Sequence, residues 1–169
     1  MDGFTLRPVR PDDVPRLVEI TRETGFFRPE EVVTAQEVLE ESVAKGEESG
    51  YHVHVAEAYG DLLGYVCFGP TPMTRGTWDL YWIAVAPGNQ GKGLGKKMMR
   101  LAEMEIAQRG GRLVLVETSS QDLYRPTRGF YLSAGYDEVA RIPDFYDVDD
   151  AKVIFAKAIT PGGETTVAP

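Results

Sequence analysis

The sequence predicts a mixed α+β fold, with about seven strands and about four helices in one domain. The chain has 169 residues, of which 43% are hydrophobic and 26% are charged, as is typical of a single globular domain. Short alternating or β-branched segments are interspersed with longer segments whose apolar residues recur at helical spacing. No repeat or linker divides the chain, so we predict one domain over residues 1–160 and a disordered tail over 161–169.

The composition argues against several classes of function. The net charge of −8 does not suit a nucleic-acid-binding protein, because neutralising phosphates requires a basic face. No apolar run approaches the length of about 20 residues that spans a bilayer, and the N-terminal sequence MDGFTLRPVRPDD does not have the layout of a secretory signal. The single cysteine, Cys67, lies in an apolar run, which favours a small core residue in a reducing compartment. We therefore expect a soluble, cytoplasmic protein without nucleic-acid or membrane partners.

The first half of the chain is predicted to form two helices and four strands. In order, these are a strand over 4–9, a helix from an N-cap at Asp12 to about Thr24, a helix from Pro29 to about Gly46, a hairpin of 51–58 and 62–69, and a strand over 77–86. Aspartate is a favourable N-cap and proline suits the first turn of a helix. Aromatic and β-branched residues bounded by turn residues favour the strands.

The second half is predicted to form two helices and three strands. They are a helix from Leu94 that ends before Gly110, a strand over 112–118, a helix over Leu123–Ser133, and strands over 136–141 and 151–159 around an acidic loop. The strand over 112–118 is almost continuously apolar, which is typical of a strand buried on both faces. Pro126 restricts regular helix to the residues after it.

A cluster of glycines lies between the strand over 77–86 and the long helix, in the sequence VAPGNQGKGLGKKMM. Four glycines fall within eight residues, Gly88 to Gly95, although a tight turn needs only one or two. Glycine loses more conformational entropy on folding than any other residue, so the cluster needs a reason. A strand, a glycine loop and a helix in this order bring backbone N–H groups and the positive end of a helix dipole together, which predicts an anion site.

Two common phosphate-binding motifs do not fit this loop. A P-loop requires a glycine where Gln90 stands and a hydroxyl residue where Lys97 stands. A dinucleotide-binding fingerprint spaces its glycines two and three residues apart, whereas Gly91, Gly93 and Gly95 are spaced two and two.

The segment Gln90–Gly95 instead resembles the Gln/Arg-x-x-Gly-x-Gly/Ala loop that binds the acyl-CoA pyrophosphate in the GCN5-related N-acetyltransferases, the GNAT family. The preceding WIAV, the long helix, and FYLSAGY at Phe130–Tyr136, which is similar to the family's Tyr-x-x-x-Gly-Phe/Tyr signature, extend the resemblance to about residues 4–159. It implies the family's acyl-CoA N-acyltransferase fold, with a central, mostly antiparallel, twisted sheet flanked by helices. It also implies acetyl-CoA as the cosubstrate, with no metal. A homodimer is expected only because dimers are common in the family.

The resemblance implies a set of contacts with acetyl-CoA. The glycines let the loop amides close on the pyrophosphate, and the preceding strand offers backbone groups to the pantetheine arm. The expected contact residues are Ile83, Ala84, Val85, Gln90, Gly91, Lys92, Gly93, Leu94, Gly95 and Lys96. Many relatives also carry an asparagine about seven residues before the signature tyrosine. Tyr124 stands there in this chain, so that contact is not carried over, and Arg125 or Arg128 is the alternative partner for a CoA phosphate.

The resemblance also assigns the proton transfers that acetylation of an amine requires. An alkyl amine with a pKa of about 10 is protonated at neutral pH, so a base must accept its proton, and an acid assists the departing thiolate. Tyr131 in the signature is the expected acid. The base is either Asp79, where the family uses a strand carboxylate, or Glu117 on the next strand. For each of them, a carboxylate that only contacts solvent at a strand edge is an equally good interpretation. No cysteine is placed to form an acyl-enzyme, so we expect direct attack in a ternary complex.

Two segments are expected to wall the acceptor site, as they do in the family: GFFRPEE between the first two helices and IPDFYDVDD between the last two strands. The candidate acceptor-binding residues are Phe26, Phe27, Arg28, Tyr81, Asp144, Phe145 and Tyr146. The acids favour a cationic primary amine on a small molecule or peptide, unless they form only a solvated turn. Arg28 and Arg75 equally suit an acceptor that carries a carboxylate.

Other functions are compatible with the same residues. The loop binds CoA and not the acyl chain, so a longer acyl group or a hydroxyl acceptor also fits. A non-catalytic acyl-CoA sensor fits as well, although Tyr131 argues for turnover. His52 and His54 share a strand face but have no third ligand nearby, so a structural role is favoured over a metal site.

Overall fold

The computed structural model describes residues 3–162, which form seven β-strands and four α-helices. In chain order these are β1 (Thr5–Pro8), α1 (Val14–Glu23), α2 (Pro29–Lys45), β2 (His52–Ala58), β3 (Asp61–Pro70), β4 (Thr77–Val85), α3 (Leu94–Gln108), β5 (Leu113–Ser119), α4 (Arg125–Ser133), β6 (Asp137–Asp147) and β7 (Asp150–Ala158). The predicted α+β class and the predicted numbers of strands and helices are confirmed.

The strands form one sheet in the order β1-β2-β3-β4-β5-β7-β6. The β1–β2, β2–β3, β5–β7 and β6–β7 pairs are antiparallel, which confirms the mostly antiparallel sheet. Strands β4 and β5 are parallel, with a register that runs from Thr77 opposite Leu113 to Asp79 opposite Leu115. The candidate base Asp79 is therefore at the end of the segment of β4 that is in register with β5, and β4 itself continues to Val85.

The chain divides into two compact units, each described here by itself. The first unit contains the described residues up to Gly69 and Trp82–Ala102. Its core includes fully buried side chains of α1, α2, β2 and β3, among them Leu17, Ile20, Leu39, Val55 and Val66. Cys67 is fully buried on β3, as predicted. The rings of His52 and His54 stack on Phe68 at centroid distances of 5.4 and 5.9 Å, so both histidines pack within the sheet.

The second unit contains Pro70–Tyr81 and the described residues from Glu103 onward, and aromatic side chains form its core. The ring of Tyr131 lies 6.1 Å from that of Tyr136 and 5.7 Å from that of Phe155. The Tyr136 hydroxyl donates to Glu103 Oε1 at 3.0 Å, and Lys157 Nζ donates to both oxygens of the same carboxylate at 3.0 and 2.9 Å. This polar cluster joins the second half of α3 to β7 and to the end of the α4 segment.

The first helix begins later than the sequence suggested. A 3-10 turn over Pro11–Asp13 precedes α1, which starts at Val14. Asp13, and not the expected Asp12, accepts the Arg10 N–H at 2.7 Å. The expectation of Asp12 as N-cap is wrong because a tertiary ion pair, between Asp13 and Arg7 at 2.7 Å, fixes which carboxylate faces the turn.

The acidic segment predicted as a loop is mostly strand. Strand β6 continues through Asp147, and only Val148 and Asp149 form the turn to β7. Ile142 pairs with Lys152, and Asp147 pairs with Asp150. Between these two pairs the chain advances by five residues along β6 but by only two along β7. The extra residues form a bulge, which Asp144 accommodates with a left-handed φ of 52°.

Within residues 3–162, no helix has both the length and the apolar character needed to cross a membrane. Of the tail predicted over 161–169, Pro161 and Gly162 form a turn, in which the Gly162 N–H donates to the Ala107 carbonyl at 2.9 Å. The rest of that tail, residues 163–169, lies outside the described residues.

Candidate active site

The glycine loop lies in the first unit and is built from left-handed backbone. Gly88, Gly91 and Gly93 have φ values of 85°, 72° and 80°, which side-chain-bearing L residues rarely adopt. A Cβ added at any of the three would meet no atom within 4 Å. The backbone conformation therefore requires glycine here, and the protein leaves open space beside it.

The loop ends at the N-terminus of α3. The Lys97 N–H donates to the Gly93 carbonyl at 3.1 Å, which makes Gly93 the residue that caps the helix. The first N–H groups of an α-helix have no partner within the helix, so those of Leu94, Gly95 and Lys96 are available to an anion. Lys92 and Lys96 are exposed and add positive charge to the same segment.

Gln90, the first residue of the motif, braces the loop against β4. Its side-chain Nε2 donates to the Val85 carbonyl at 3.1 Å. Gly64 of β3 lies against the same end of β4, because a Cβ there would come within 2.5 Å of the Ala84 carbonyl oxygen. Ile83, Ala84 and Val85 thus lie on a strand end that is held from two sides, by the loop and by β3.

The acceptor candidates in the first unit meet a tryptophan that the sequence analysis did not select. Phe27 packs edge-on against Trp82 of β4, with ring centroids 6.4 Å apart. The Trp82 indole N–H donates to the Tyr65 hydroxyl at 3.0 Å, and that hydroxyl pairs at 2.6 Å with Thr21, which donates to the Leu17 carbonyl. This buried chain of hydrogen bonds fixes the indole. The sequence signal that could have selected Trp82 was its position next to Tyr81 in an aromatic strand.

Arg28, offered as a partner for an acceptor carboxylate, is engaged within its own helix start. Its guanidinium lies 3.6 Å from a Glu30 carboxylate oxygen and 3.5 Å from a Glu31 carboxylate oxygen. Its backbone N–H donates to the Glu31 carboxylate. These contacts stabilise the N-terminus of α2.

In the second unit, Tyr131 is buried on α4, with 6% of its surface exposed. Burial raises the pKa of its hydroxyl well above the ordinary value, so the proton stays on the oxygen through neutral pH. Its ring packs against those of Phe130, Tyr136 and Phe155. A hydroxyl that keeps its proton can donate a hydrogen bond to a ligand.

Asp79 is half-buried, and its Oδ2 accepts a hydrogen bond from Thr71 Oγ1 at 2.8 Å. Burial raises the pKa of this carboxyl above its ordinary value, and the negative charge of Glu117 raises it further. The Thr71 hydrogen bond and the positive charge of Lys152 act in the opposite direction. The net rise moves Asp79 towards the range in which a carboxylate can accept a proton effectively.

Glu117, the other candidate base, is ion-paired. Lys152 Nζ of β7 lies 2.6 Å from Glu117 Oε2, and the Lys152 side chain is only 15% exposed. The same ammonium lies 4.1 Å from the centroid of the Phe145 ring, a cation–π distance. Contrary to expectation, β5 is buried on one face only: Val114 and Val116 are buried, whereas Glu117 on the other face is exposed. In the second unit, Lys152, which the sequence analysis missed, therefore contacts Glu117 and the acceptor candidate Phe145, and its charge acts on Asp79.

The other acids of the β6–β7 segment hold the turn. Asp144 Oδ1 accepts the Asp149 N–H at 2.9 Å, and Asp147 Oδ1 accepts the Val148 N–H at 2.7 Å. Asp150 is buried and accepts a hydrogen bond from Ser119 Oγ at 2.5 Å. These contacts favour the interpretation of the acidic run as turn chemistry.

The two arginines suggested for a CoA phosphate differ in their contacts. Arg128 donates to the carbonyls of Ser119 and Gln121 at 2.7 and 2.8 Å and so ties α4 to the end of β5. Arg125 is largely exposed and pairs with Asp122 at 3.1 Å. Of the two, Arg125 is the more accessible.

Comparison with known proteins places the chain in a class of enzymes. A family model described as the acetyltransferase (GNAT) domain matches residues 49–138, more than half of the chain. A crystal structure from Desulfovibrio desulfuricans, assigned to the GNAT family of acetyltransferases, is 42% identical with a TM-score of 0.90, and the match covers 92% of this chain and 98% of that one. A search of curated protein sequences finds no significant match.

Two more distant structures share the fold. An aminoglycoside 6′-N-acetyltransferase complexed with coenzyme A is 20% identical with a TM-score of 0.75, over 95% of this chain and 99% of that one. An acetyltransferase structure from Salmonella typhimurium with acetyl-CoA is 20% identical with a TM-score of 0.73, over 99% of this chain and 100% of that one. The fold is that of the GNAT acetyltransferases. The chain belongs to the GNAT family.

Proposed function

We propose that the protein is an N-acetyltransferase that transfers the acetyl group of acetyl-CoA to a primary amine. The observation that carries the proposal is the glycine loop at the N-terminus of α3. Its left-handed glycines leave open space, and the first N–H groups of the helix are available beside that space. This donor set fits a pyrophosphate.

The proposed contacts with acetyl-CoA follow from the loop and the strand before it. The N–H groups of about Gly91 to Lys96 bind the pyrophosphate, and the backbone of Ile83, Ala84 and Val85 binds the pantetheine arm. Gln90 keeps the loop in place through its hydrogen bond to Val85. The CoA and acetyl-CoA complexes of the two distant relatives support this choice of cosubstrate.

The proposed chemistry is direct attack by the amine, with two protein groups moving protons. Asp79 accepts the proton of the attacking nitrogen, supported by a pKa raised through burial. Tyr131 donates a proton to the departing thiolate, supported by its place in the signature Phe130–Tyr136. Both assignments rest on the signature positions and on each residue's own surroundings.

The proposed acceptor is an amine carried by a small molecule or a peptide. Relatives named as aminoglycoside, ribosomal-protein-alanine and spermidine N-acetyltransferases support an amine. Phe26, Phe27, Trp82 and Tyr81 are the aromatic residues proposed to contact it, and Phe145 and Tyr146 contribute from the β6 bulge. We further propose that residues 1–160 act as one GNAT domain in the cytoplasm, with a homodimer as the assembly to test.

Paired glycine substitutions test the loop assignment. Gly93→Leu places a side chain in the proposed pyrophosphate space and is expected to weaken CoA binding at least about tenfold by calorimetry. Gly88→Leu is the matched control, because Gly88 has a similar φ and equally open surroundings but lies outside the motif. It carries the same backbone strain and is expected to bind CoA normally. Equal affinities of the two variants would remove the basis for the proposal.

A further inference from the structure

Lys152 of β7 contacts a candidate base and an aromatic acceptor candidate in the second unit. Its ammonium lies 2.6 Å from Glu117 and 4.1 Å from the Phe145 ring centroid, and its side chain is mostly buried. It reaches this position because β7 pairs with both β5 and β6, so that Lys152 stands opposite Ser119 on one side and Ile142 on the other. Neither the signature nor the glycine loop contains this residue.

The charged and polar groups around Asp79 come from three elements. Thr71, in the connection before β4, donates a hydrogen bond to Asp79. Glu117 of β5 and Lys152 of β7 act on it through their charges, with opposite signs. Lys152 is bound to Glu117, so the carboxylate of Glu117 already has a cationic partner, whereas within residues 3–162 the partner of Asp79 is the Thr71 hydroxyl.

We propose that Lys152 is a positioning residue: by holding Glu117 in an ion pair, it leaves Asp79 as the carboxylate that accepts the proton of the amine. The inference rests on the proposed function and gives a structural reason for Asp79, rather than Glu117, as the base. The amine attacks in its neutral form, after its extra proton has gone to solvent. As its nitrogen bonds to the acetyl carbon, the carbon–sulfur bond breaks with its electron pair on sulfur. One proton passes from nitrogen to Asp79, and one passes from Tyr131 to the thiolate. Water then returns the proton from Asp79 to Tyr131, so the enzyme is unchanged.

Titration of the Asp79 carboxyl carbon by NMR tests the arrangement without any acceptor, and Asp79→Asn assigns the signal. Lys152→Met removes the positive charge and is expected to move the Asp79 titration to higher pH. Lys152→Arg keeps the charge and is expected to restore it. Glu117→Gln removes the negative neighbour and is expected to move the titration to lower pH.

The control for these titrations is Lys45→Met. It removes a 2.7 Å ion pair with Glu41 from the surface of α2 and is expected to leave Asp79 unchanged. An Asp79 titration that does not respond to Lys152→Met, or that moves the same way in Lys152→Met and Glu117→Gln, would overturn the inference.

The pH profile of kcat/KM supplies the second readout. Asp79→Asn is expected to lose about 100-fold or more, and Lys152→Met is expected to shift the acidic limb to higher pH, with Lys152→Arg restoring it. If Glu117→Gln loses activity at every pH while Asp79→Asn keeps it, Glu117 is the base and the inference is wrong, although the enzyme is still an acetyltransferase. Loss of CoA binding is read separately, from the glycine variants, so the two failures are distinguishable.

Discussion

At the scale of single residues, Tyr131 combines the signature position with a side chain that is only 6% exposed and packs against Tyr136 and Phe155. Burial also raises the pKa of the hydroxyl, so deprotonation of Tyr131 is not expected to shape the activity profile around its ordinary pKa.

Tyr131→Phe separates the two roles of the ring. The variant is expected to keep a Tm close to that of the wild type, because it keeps the aromatic packing. It is expected to lower kcat about 100-fold with little change in KM, because the thiolate loses its proton donor. Thermal unfolding and steady-state kinetics are the measurements. A wild-type kcat with unchanged KM would show that the ring only packs.

The sequence analysis selected some residues of the candidate site and did not select others, for a physical reason. Gln90, Gly93 and Tyr131 belong to short motifs in which local spacing carries the information. Lys152 and Trp82 acquire their contacts only through strand pairing and helix packing, which bring together residues that are distant in the chain. A lone lysine in β7 has no local pattern that marks it.

At the scale of elements, Arg7 ties three segments of the first unit together. Its guanidinium on β1 lies 2.7 Å from Asp13, just before α1, and 2.5 Å from Glu57 of β2. Its side chain is 17% exposed, and that of Asp13 is 9% exposed. The Arg7 hydrogen bond lowers the pKa of Asp13 below its ordinary value, so the pair stabilises the fold when Asp13 is ionised.

Arg7→Met is expected to lower the free energy of unfolding by about 3 kcal/mol at pH 7. The folded-state pKa of Asp13 is depressed, so its contribution is fully present above the unfolded value of about 4 and is lost as the pH falls through the folded value. The difference between Arg7→Met and wild type is therefore expected to shrink in acid. Urea denaturation across pH measures it. Arg16→Met, which breaks exposed ion pairs with Glu19 and Glu23, is the control and is expected to cost less than about 1 kcal/mol.

Element boundaries followed local signals except where tertiary contacts intervened. The helix at Pro29–Lys45 and the hairpin around Tyr59 and Gly60 lie where the proline and the turn residues indicated. The acidic segment did not, because pairing with β7 extends β6 through a bulge at Asp144. A bulge depends on the partner strand, so the composition of the segment alone indicated a loop.

At the scale of the whole molecule, the order of elements predicted the α+β class, and the resemblance to the GNAT family implied the mostly antiparallel sheet. A strand, a glycine loop, a long helix and a further strand specify a parallel crossover, and β4 and β5 form the parallel pair. The sequence around this crossover is mostly hairpins and antiparallel pairs, as the sheet shows. The acceptor was not predictable to the same degree, because its candidate residues come from separate segments whose side chains also serve the fold.

Thiol release from acetyl-CoA, measured with a panel of polyamines, aminoglycosides, amino acids and peptides, tests the central claim most directly. Wild-type protein is expected to release thiol with at least one class of amine, with little release when no amine is present. Tyr131→Phe is expected to lose most of this release while still binding CoA. Tight CoA binding without release for any amine, or release that is the same with and without amine, would contradict an N-acetyltransferase.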